Sequence, residues 1–443
     1  MDKKQYIVAI EIGSSKIVGV IAHKELPGGA VAIRAVHETK ITESVRYGCI
    51  KNVEEVKRSI NEVISKLTTQ IKDASISSIY LSLAGRSIRN EVVQVKKTLN
   101  IESPITQETI LDLLREGRHT TKKGFDVLDV LPQRFLVDNV EEKKPVGTFG
   151  SNISATLNTI IGKSTLSANL HRVIDPSIKV NGIIISPIAV AKQVLTPDEQ
   201  QLGCMLVDLG AETTTVSIYK NGALIHLATL PFGGRNITRD VMSLNLLEDK
   251  AEELKISAGN AMPNENLNQS MQVDGISIRD LSKYVVARSG EIIANITEQL
   301  NIANIRSEEL GEGIILIGGG AQLSGFREVL EKSTNLKVKF GSYPQHVNIM
   351  SKRAQESSLY IQAVAIATEA AECISPDEDC LTRIAKPEPE EEPEGIQEQP
   401  VIDGTKEEPK AENKTNRKEQ AEGFLSKLKS LFKESPDEDG YDS

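Results

Sequence analysis

The sequence predicts an α/β protein of two related lobes facing each other across a cleft, followed by a disordered linker and a short terminal helix. Three observations carry this. One strand–turn–strand unit occurs twice, over 7–22 and 203–220, half a chain apart. Runs with strand alternation and runs with helical spacing interleave between and after the two copies. At about Ser375 the composition breaks, and proline and charge replace apolar residues.

The first unit is an apolar, β-branched run containing Glu11, a turn Gly13-Ser14-Ser15, and a second apolar run to Ala22. A third strand spans Ala30 to Val36. Val53, Val56, Ile60, Val63, Ile64 and Leu67 then mark one face of a helix. Ser77 to Ala84 is a strand closed by Gly85-Arg86. From there to Gly162 short strands (Glu91–Val95, Val127–Phe135, Ile153–Ile161) flank a helix from Thr106 to Glu116, a small inserted α+β module. A helix over 164–174, a strand over 180–186 and a helix opened by Pro187 follow. That last helix joins the halves and is a candidate hinge.

The second unit carries Asp208, Gly210, Thr213 and Thr214 where the first carries Glu11, Gly13 and serines. A strand over 222–229 leads to Gly233-Gly234 before a helix, whose N-terminus is expected to face a ligand. Leu247 to Ile256 is a helix with Glu252 and Lys255 on one face, a spacing equally typical of a solvated pair. A polar loop spans 260–274. Ile278 to Asn301 is a long helix bearing Tyr284, Arg288 and Glu291, and 312–317 is a strand ending in Gly318-Gly319-Gly320. The last globular helix is Tyr360 to Cys373. Beyond the proline-rich linker, Phe424, Leu425, Leu428, Leu431 and Phe432 form one helical stripe with Lys427, Lys429 and Lys433 off it. Such a helix suits a membrane interface better than a protein groove.

Composition narrows the function. The 443 residues are 39% hydrophobic and 26% charged, ordinary for a globular protein. With net charge -10, no Trp and few aromatics, nucleic-acid binding is not expected. No apolar run approaches the roughly 20 residues of a spanning helix, and no apolar leader opens the chain. The four cysteines are scattered and read as reduced thiols of a cytoplasmic protein, Cys373 and Cys380 falling in the disordered region. The six histidines do not cluster, against a transition-metal site. Two acid-bearing turns closing on one polyphosphate, each carboxylate holding Mg²⁺ through water, account for the recurrence. Glycines let backbone approach phosphate, ring or sugar closely. A single short anchor helix binds a membrane reversibly, so firm attachment needs several copies on a polymer.

With these features assembled, the chain resembles the FtsA family of actin-like bacterial cell-division proteins. The marks are Glu11-Ile-Gly-Ser-Ser-Lys16, Ser78-Ile-Tyr-Leu-Ser-Leu-Ala-Gly85, Val130-Leu-Pro-Gln133, Pro145-Val-Gly147, the Asp208 hairpin and Gly318-Gly-Gly-Ala321. The resemblance implies an actin-like two-lobed ATPase fold lacking the usual actin subdomain 1B, with an SHS2-type insert. It implies that Glu11, Gly13, Ser14, Ser15 and Lys16 form the first phosphate motif and Asp208, Gly210, Thr213 and Thr214 the second. Gly318, Gly319 and Gly320 match the adenosine motif, with Glu252 and Lys255 near the ribose. ATP and Mg²⁺ are the implied cofactors.

Implied partners are FtsZ (over 238–311, with Arg288 similar to a family contact position), further copies of the chain, membrane lipid, and other division proteins through the insert. The implied place is the cytoplasmic face of the plasma membrane at the division site. The expected boundaries are 1–81 and 163–200 for the first lobe, 82–162 for the insert, 201–237 with 312–374 for the second lobe and 238–311 for its outer part. The linker is 375–420, the anchor helix 421–435 and an acidic tail 436–443.

Two departures from the family pattern stand out. The second turn reads Gly210-Ala-Glu, and Glu212 repels a phosphate unless it points away or toward Mg²⁺. Slow or absent hydrolysis is the expectation. The acidic tail, from Asp437, weakens attraction to anionic lipid. A small-molecule kinase of the same fold and a pilus-assembly actin homologue are the alternatives. The first lacks a motif for an acceptor base, and the second has no use for the anchor.

Overall fold

The computed structural model describes residues 4–25, 29–71, 74–100, 103–120, 122–263 and 271–383. The linker, the anchor residues Phe424, Leu425, Lys427, Leu428, Lys429, Leu431 and Phe432, and the acidic tail lie outside them.

Fifteen strands among the described residues build the two main sheets, fourteen longer ones and the two-residue edge strand Val140–Glu141 of the insert. In chain order they begin with β1 (Lys4–Ile12), β2 (Lys16–Glu25), β3 (Val31–Lys40) and β4 (Ser78–Leu83). The insert supplies β5 (Arg89–Thr98), β6 (Phe125–Val137) and β7 (Asn152–Lys163), followed by β8 (Lys179–Ile185). Then come β9 (Cys204–Leu209), β10 (Thr214–Lys220) and β11 (Ala223–Leu230). Last are β12 (Ile314–Ile317), β13 (Val338–Phe340) and β14 (Val347–Ile349).

The first sheet runs β8-β4-β1-β2-β3-β14. The second contains β13-β12-β9-β10-β11, the same order built the same way. In each, a three-stranded antiparallel meander is extended on the side of its first strand by two parallel strands. The repeat seen in the sequence is thus a repeat of topology. The insert's strands β6-β7-β5 join the free edge of β11 through a single residue pair, Ala228 with Arg89. They are longer than the sequence patterning suggests, because the pairing continues at their ends through polar, partly exposed residues held by backbone bonds.

Helices cover the sheets. Helix α1 (Val53–Thr68) starts on Asn52, whose side chain accepts the Glu55 N–H at 3.1 Å, and buries Val56, Ile60, Val63, Ile64 and Leu67. It packs on β2 and β3. Helix α2 (Ile361–Cys373) packs on β1 and β2 from the first sheet's core.

Two boundaries need correction. Residues 345–374, expected in the second lobe, belong to the first sheet: β14 pairs with β3, and α2 lies on β1 and β2. The chain crosses back after β13, a return that carries no local signal. The segment from Ser375 is also ordered to Arg383. Cys380 is fully buried, its N–H donates to the Tyr6 carbonyl at 3.0 Å, and Leu381–Arg383 pairs with strand Ala74–Ile76. Low apolar content misled here, because one small thiol and backbone bonds anchor the segment.

Candidate functional site

Both hairpins end in the same turn. Glu11 pairs with Val18 and Asp208 with Thr215, so each acid lies opposite the residue seven further on. The Gly13 N–H donates to the Lys16 carbonyl at 3.0 Å, and the Gly210 N–H to the Thr213 carbonyl at 2.9 Å. The two acids come within electrostatic range of each other. Burial lifts the Glu11 carboxyl to about 7, with the Lys16 ammonium opposing and the Asp208 charge adding to the rise. Burial lifts Asp208 to about 6. Asp208 Oδ1 is buried without a hydrogen-bond partner. Two buried carboxylates in one place, one with an oxygen that no protein donor reaches, fit a site completed by a positive group. Among the described residues no cluster of three or more metal-ligating side chains exists, so that cation would be held through water and ligand oxygens, as suits Mg²⁺.

The glycines of the third turn also let it pack closely against the second. A Cβ on Gly318, whose φ is +96°, would stand 2.8 Å from Asp208 Oδ1, and one on Gly320 would stand 2.7 Å from Leu209 Cγ. Their bare backbone admits the neighbouring end of β9, while Gly318 and Gly320 stay half-buried and Gly319 exposed. Only Gly319 has loose surroundings, its nearest neighbour being Leu359 at 3.7 Å. Gly233 and Gly234 likewise bear on the second turn. The Gly234 N–H donates to the Gly210 carbonyl at 2.9 Å and the Arg235 N–H to that of Ala211 at 2.7 Å. The Gly233 N–H donates to Asn236 Oδ1 at 2.9 Å. These amides at the N-terminus of α3 (Gly234–Val241) are therefore satisfied within the protein, where they brace the second turn.

Lys255 is buried and not a surface lysine. Its Nζ donates to the Gly234 carbonyl at 3.1 Å, Thr238 Oγ1 at 3.0 Å and Glu252 Oε2 at 2.7 Å. Burial holds its pKa below the ordinary lysine value, with Glu252 opposing the shift. The solvated-pair alternative describes only Glu252, whose side chain is 43% exposed. A Cβ built on Gly234 would lie 3.5 Å from both Lys255 Nζ and Gly320 Cα, so three predicted segments meet at one point.

Of the other predicted donors, Thr214 and Lys16 are engaged within the protein. Thr214 is fully buried and its hydroxyl donates to the Phe232 carbonyl at 2.8 Å, removing it from the cleft, whereas Thr213 is half-buried. Ser14 Oγ accepts the Gly48 N–H at 3.2 Å, and the half-buried Ser15 offers its carbonyl to Ile41 at 2.9 Å. Lys16 pairs with Glu38 at 2.8 Å and lies 4.5 Å above the Tyr360 ring. Arg288 forms a two-pronged pair with Asp240 (2.7 and 3.1 Å) and contacts Glu291, tying α3 to helix α4 (Ile278–Ile302).

The sequence reading missed the cluster around Glu212. This side chain is fully buried, 2.6 Å from Arg239 and 3.5 Å from Arg235, and accepts the Tyr47 N–H at 2.9 Å. Arg235 also meets Glu248 at 3.0 Å and donates to the Ser14 carbonyl at 3.0 Å. The carboxylate points into two guanidiniums, and the cluster bridges the first turn to the second. The spacing of Arg235 and Arg239, four apart on one helix face, was the available signal.

A family model described as Cell division protein FtsA matches residues 205–365, and one described as SHS2 domain inserted in FTSA matches 85–161. The Cell division protein FtsA of Porphyromonas gingivalis is 31% identical over 335 residues, covering 73% of this chain and 70% of that one. The Escherichia coli K12 protein of the same description is 27% identical over 374 residues, covering 80% and 87%. Among solved structures, a PilM-PilN type IV pilus biogenesis complex superposes with TM-score 0.59 at 16% identity, over 82% of this chain and 98% of the other. That likeness is one of fold.

Proposed function

Because the chain belongs to the FtsA family of cell-division proteins and has its actin-like fold with an SHS2 insert, we propose that it is an ATP-binding polymer subunit that attaches FtsZ to the membrane. The observation that carries the nucleotide reading is the pair of buried acids, Glu11 and Asp208, placed by identical hairpin register on two sheets of one topology. Mg²⁺, when bound, neutralises phosphate charge and screens the two carboxylates from each other. Glu11 and Asp208 orient its water shell, and the Gly13 and Gly210 turns approach the phosphates. Lys255 and Glu252 stand where the second and third turns meet; the three Lys255 Nζ donors are taken up within the protein, so Glu252 is the one that would reach the sugar and Lys255 positions it.

Glu212 is neutralised by Arg235 and Arg239, which favours phosphate binding beside it. The same pairs occupy both guanidiniums, in keeping with slow or absent hydrolysis. A small-molecule kinase needs an acceptor base, and the named site residues supply none besides the acids assigned to the metal. The pilus homologue shares the fold, while sequence likeness favours the division family.

Attachment is assigned to 421–435, with Phe424, Leu425, Leu428, Leu431 and Phe432 entering the interface and Lys427 and Lys429 facing headgroups. No described helix is long and apolar enough to cross a membrane. FtsZ contact is assigned to the outer part of the second lobe. An FtsZ residue engaging Arg288 must compete with Asp240 or use that ion pair as a unit.

Co-sedimentation with lipid and nucleotide varied separately tests the whole. Phe432→Glu is expected to release the protein from liposomes and leave ATP affinity unchanged. Undiminished liposome binding by that variant removes the anchor from the reading, and Mg·ATP affinity unaltered by Asp208→Ala removes the nucleotide site.

A further inference from the structure

Beside the first turn lies a cavity of about 200 Å³ lined by Arg46, Tyr47, Cys49, Lys51 and Arg86. Its frame is the hairpin Val45–Arg46/Cys49–Ile50, whose loop is only Tyr47-Gly48. Both loop residues are left-handed, with φ of 53° and 70°, as a two-residue hairpin of this kind requires. Glycine adopts that backbone freely and tyrosine at a cost. The turn brings the Tyr47 ring near two guanidiniums, Arg46 at 5.8 Å and Arg86 at 5.5 Å from its centroid.

The lining carries three cations and no acid. Neither arginine nor Lys51 is ion-paired with a carboxylate among the described residues, and Arg46 Nε is buried without a hydrogen-bond partner. Three like charges gather around this concave space, Lys51 and Arg86 exposed and Arg46 half-buried with an orphaned donor, and an anion there relieves their mutual repulsion. Guanidinium forks match tetrahedral oxyanions with paired N–H groups. We propose that this cavity binds a phosphate group, as orthophosphate or the end of a small phosphomonoester, at a site distinct from the nucleotide cleft. The assignment does not depend on the nucleotide reading. The same loop donates from Tyr47 N to Glu212 and from Gly48 N to Ser14 Oγ, so an anion there braces the loop that touches both cleft turns.

Cys49, half-buried in the lining, is a local reporter, with Cys373 as the half-buried reference and Cys204 and Cys380 buried. The full chain is alkylated with iodoacetamide in orthophosphate, in glycerol 3-phosphate, or in chloride of equal ionic strength, and each cysteine is followed by peptide mass spectrometry. At least one phosphate arm is expected to slow Cys49 labelling about fivefold or more while Cys373 is unchanged. Arg86→Gln and Lys51→Gln are each expected to abolish the protection while retaining Mg·ATP affinity, and Asp208→Ala to keep it. Absence of protection in both phosphate arms, protection surviving both charge-removing variants, or its loss in Asp208→Ala overturns the proposal. The last outcome places the anion in the cleft.

Discussion

Replacing Glu212 with Gln removes the charge at the centre of the bridge between the two turns and leaves its shape. Breaking a buried ion pair from one side costs about 3–5 kcal/mol. Here the partners are not equally enclosed: Arg235 is 11% and Arg239 28% exposed, so water recovers part of the loss. The amide oxygen also keeps the Tyr47 N–H satisfied. The expected loss is therefore about 2–3 kcal/mol, below the range for full burial. Glu212→Ala orphans that N–H as well and costs about 1 kcal/mol more. Unfolding entropy of about 2 cal/mol/K per residue makes each kcal/mol worth a little over ~1 °C for a body of this size. Scanning calorimetry should place Tm about 3 °C lower for Gln and about 4 °C lower for Ala. The released guanidiniums should also tighten Mg·ATP binding a few-fold, on the order of 1 kcal/mol. A Gln variant as stable as the parent, or one that binds ATP more weakly, refutes the reasoning.

Three further outcomes follow from the same geometry. Asp208, lifted to about 6 from 3.8, binds its proton more tightly folded than unfolded, so nucleotide-free stability declines as pH rises from about 4 to about 7. In EDTA, Asp208→Asn should flatten that decline and raise Tm at pH 7.5 while weakening Mg·ATP binding at least tenfold; a lower Tm there than the parent's contradicts it. Gly318→Ala meets both a φ of +96° and the crowded edge of β9, and should cost about 3 kcal/mol or more in a denaturant melt. Lys255→Met removes three hydrogen bonds at the junction of the turns and should weaken ATP binding about tenfold. A change in Tm without a change in calorimetric affinity marks Lys255 as purely structural.

What the sequence determined by itself is whatever local spacing encodes. Acid, glycine and hydroxyls recurring between two β-branched runs specified two equivalent hairpins, and the 3.6-residue stripe of α1 specified its buried face. These are short-range properties of backbone and side-chain period, legible without a partner. Tertiary structure alone decided what depends on residues distant in the chain. It returned 345–374 to the first sheet and turned Thr214 and the α3 amides inward. It gave Gly318 and Gly320 a neighbouring turn to admit, and aimed Glu212 at two arginines instead of the cleft. The physical reason is that a polar group's role is set by which donor or acceptor reaches it first once water is excluded. Here those partners lie on other elements, in the case of Glu212 and Tyr47 across 165 residues of chain.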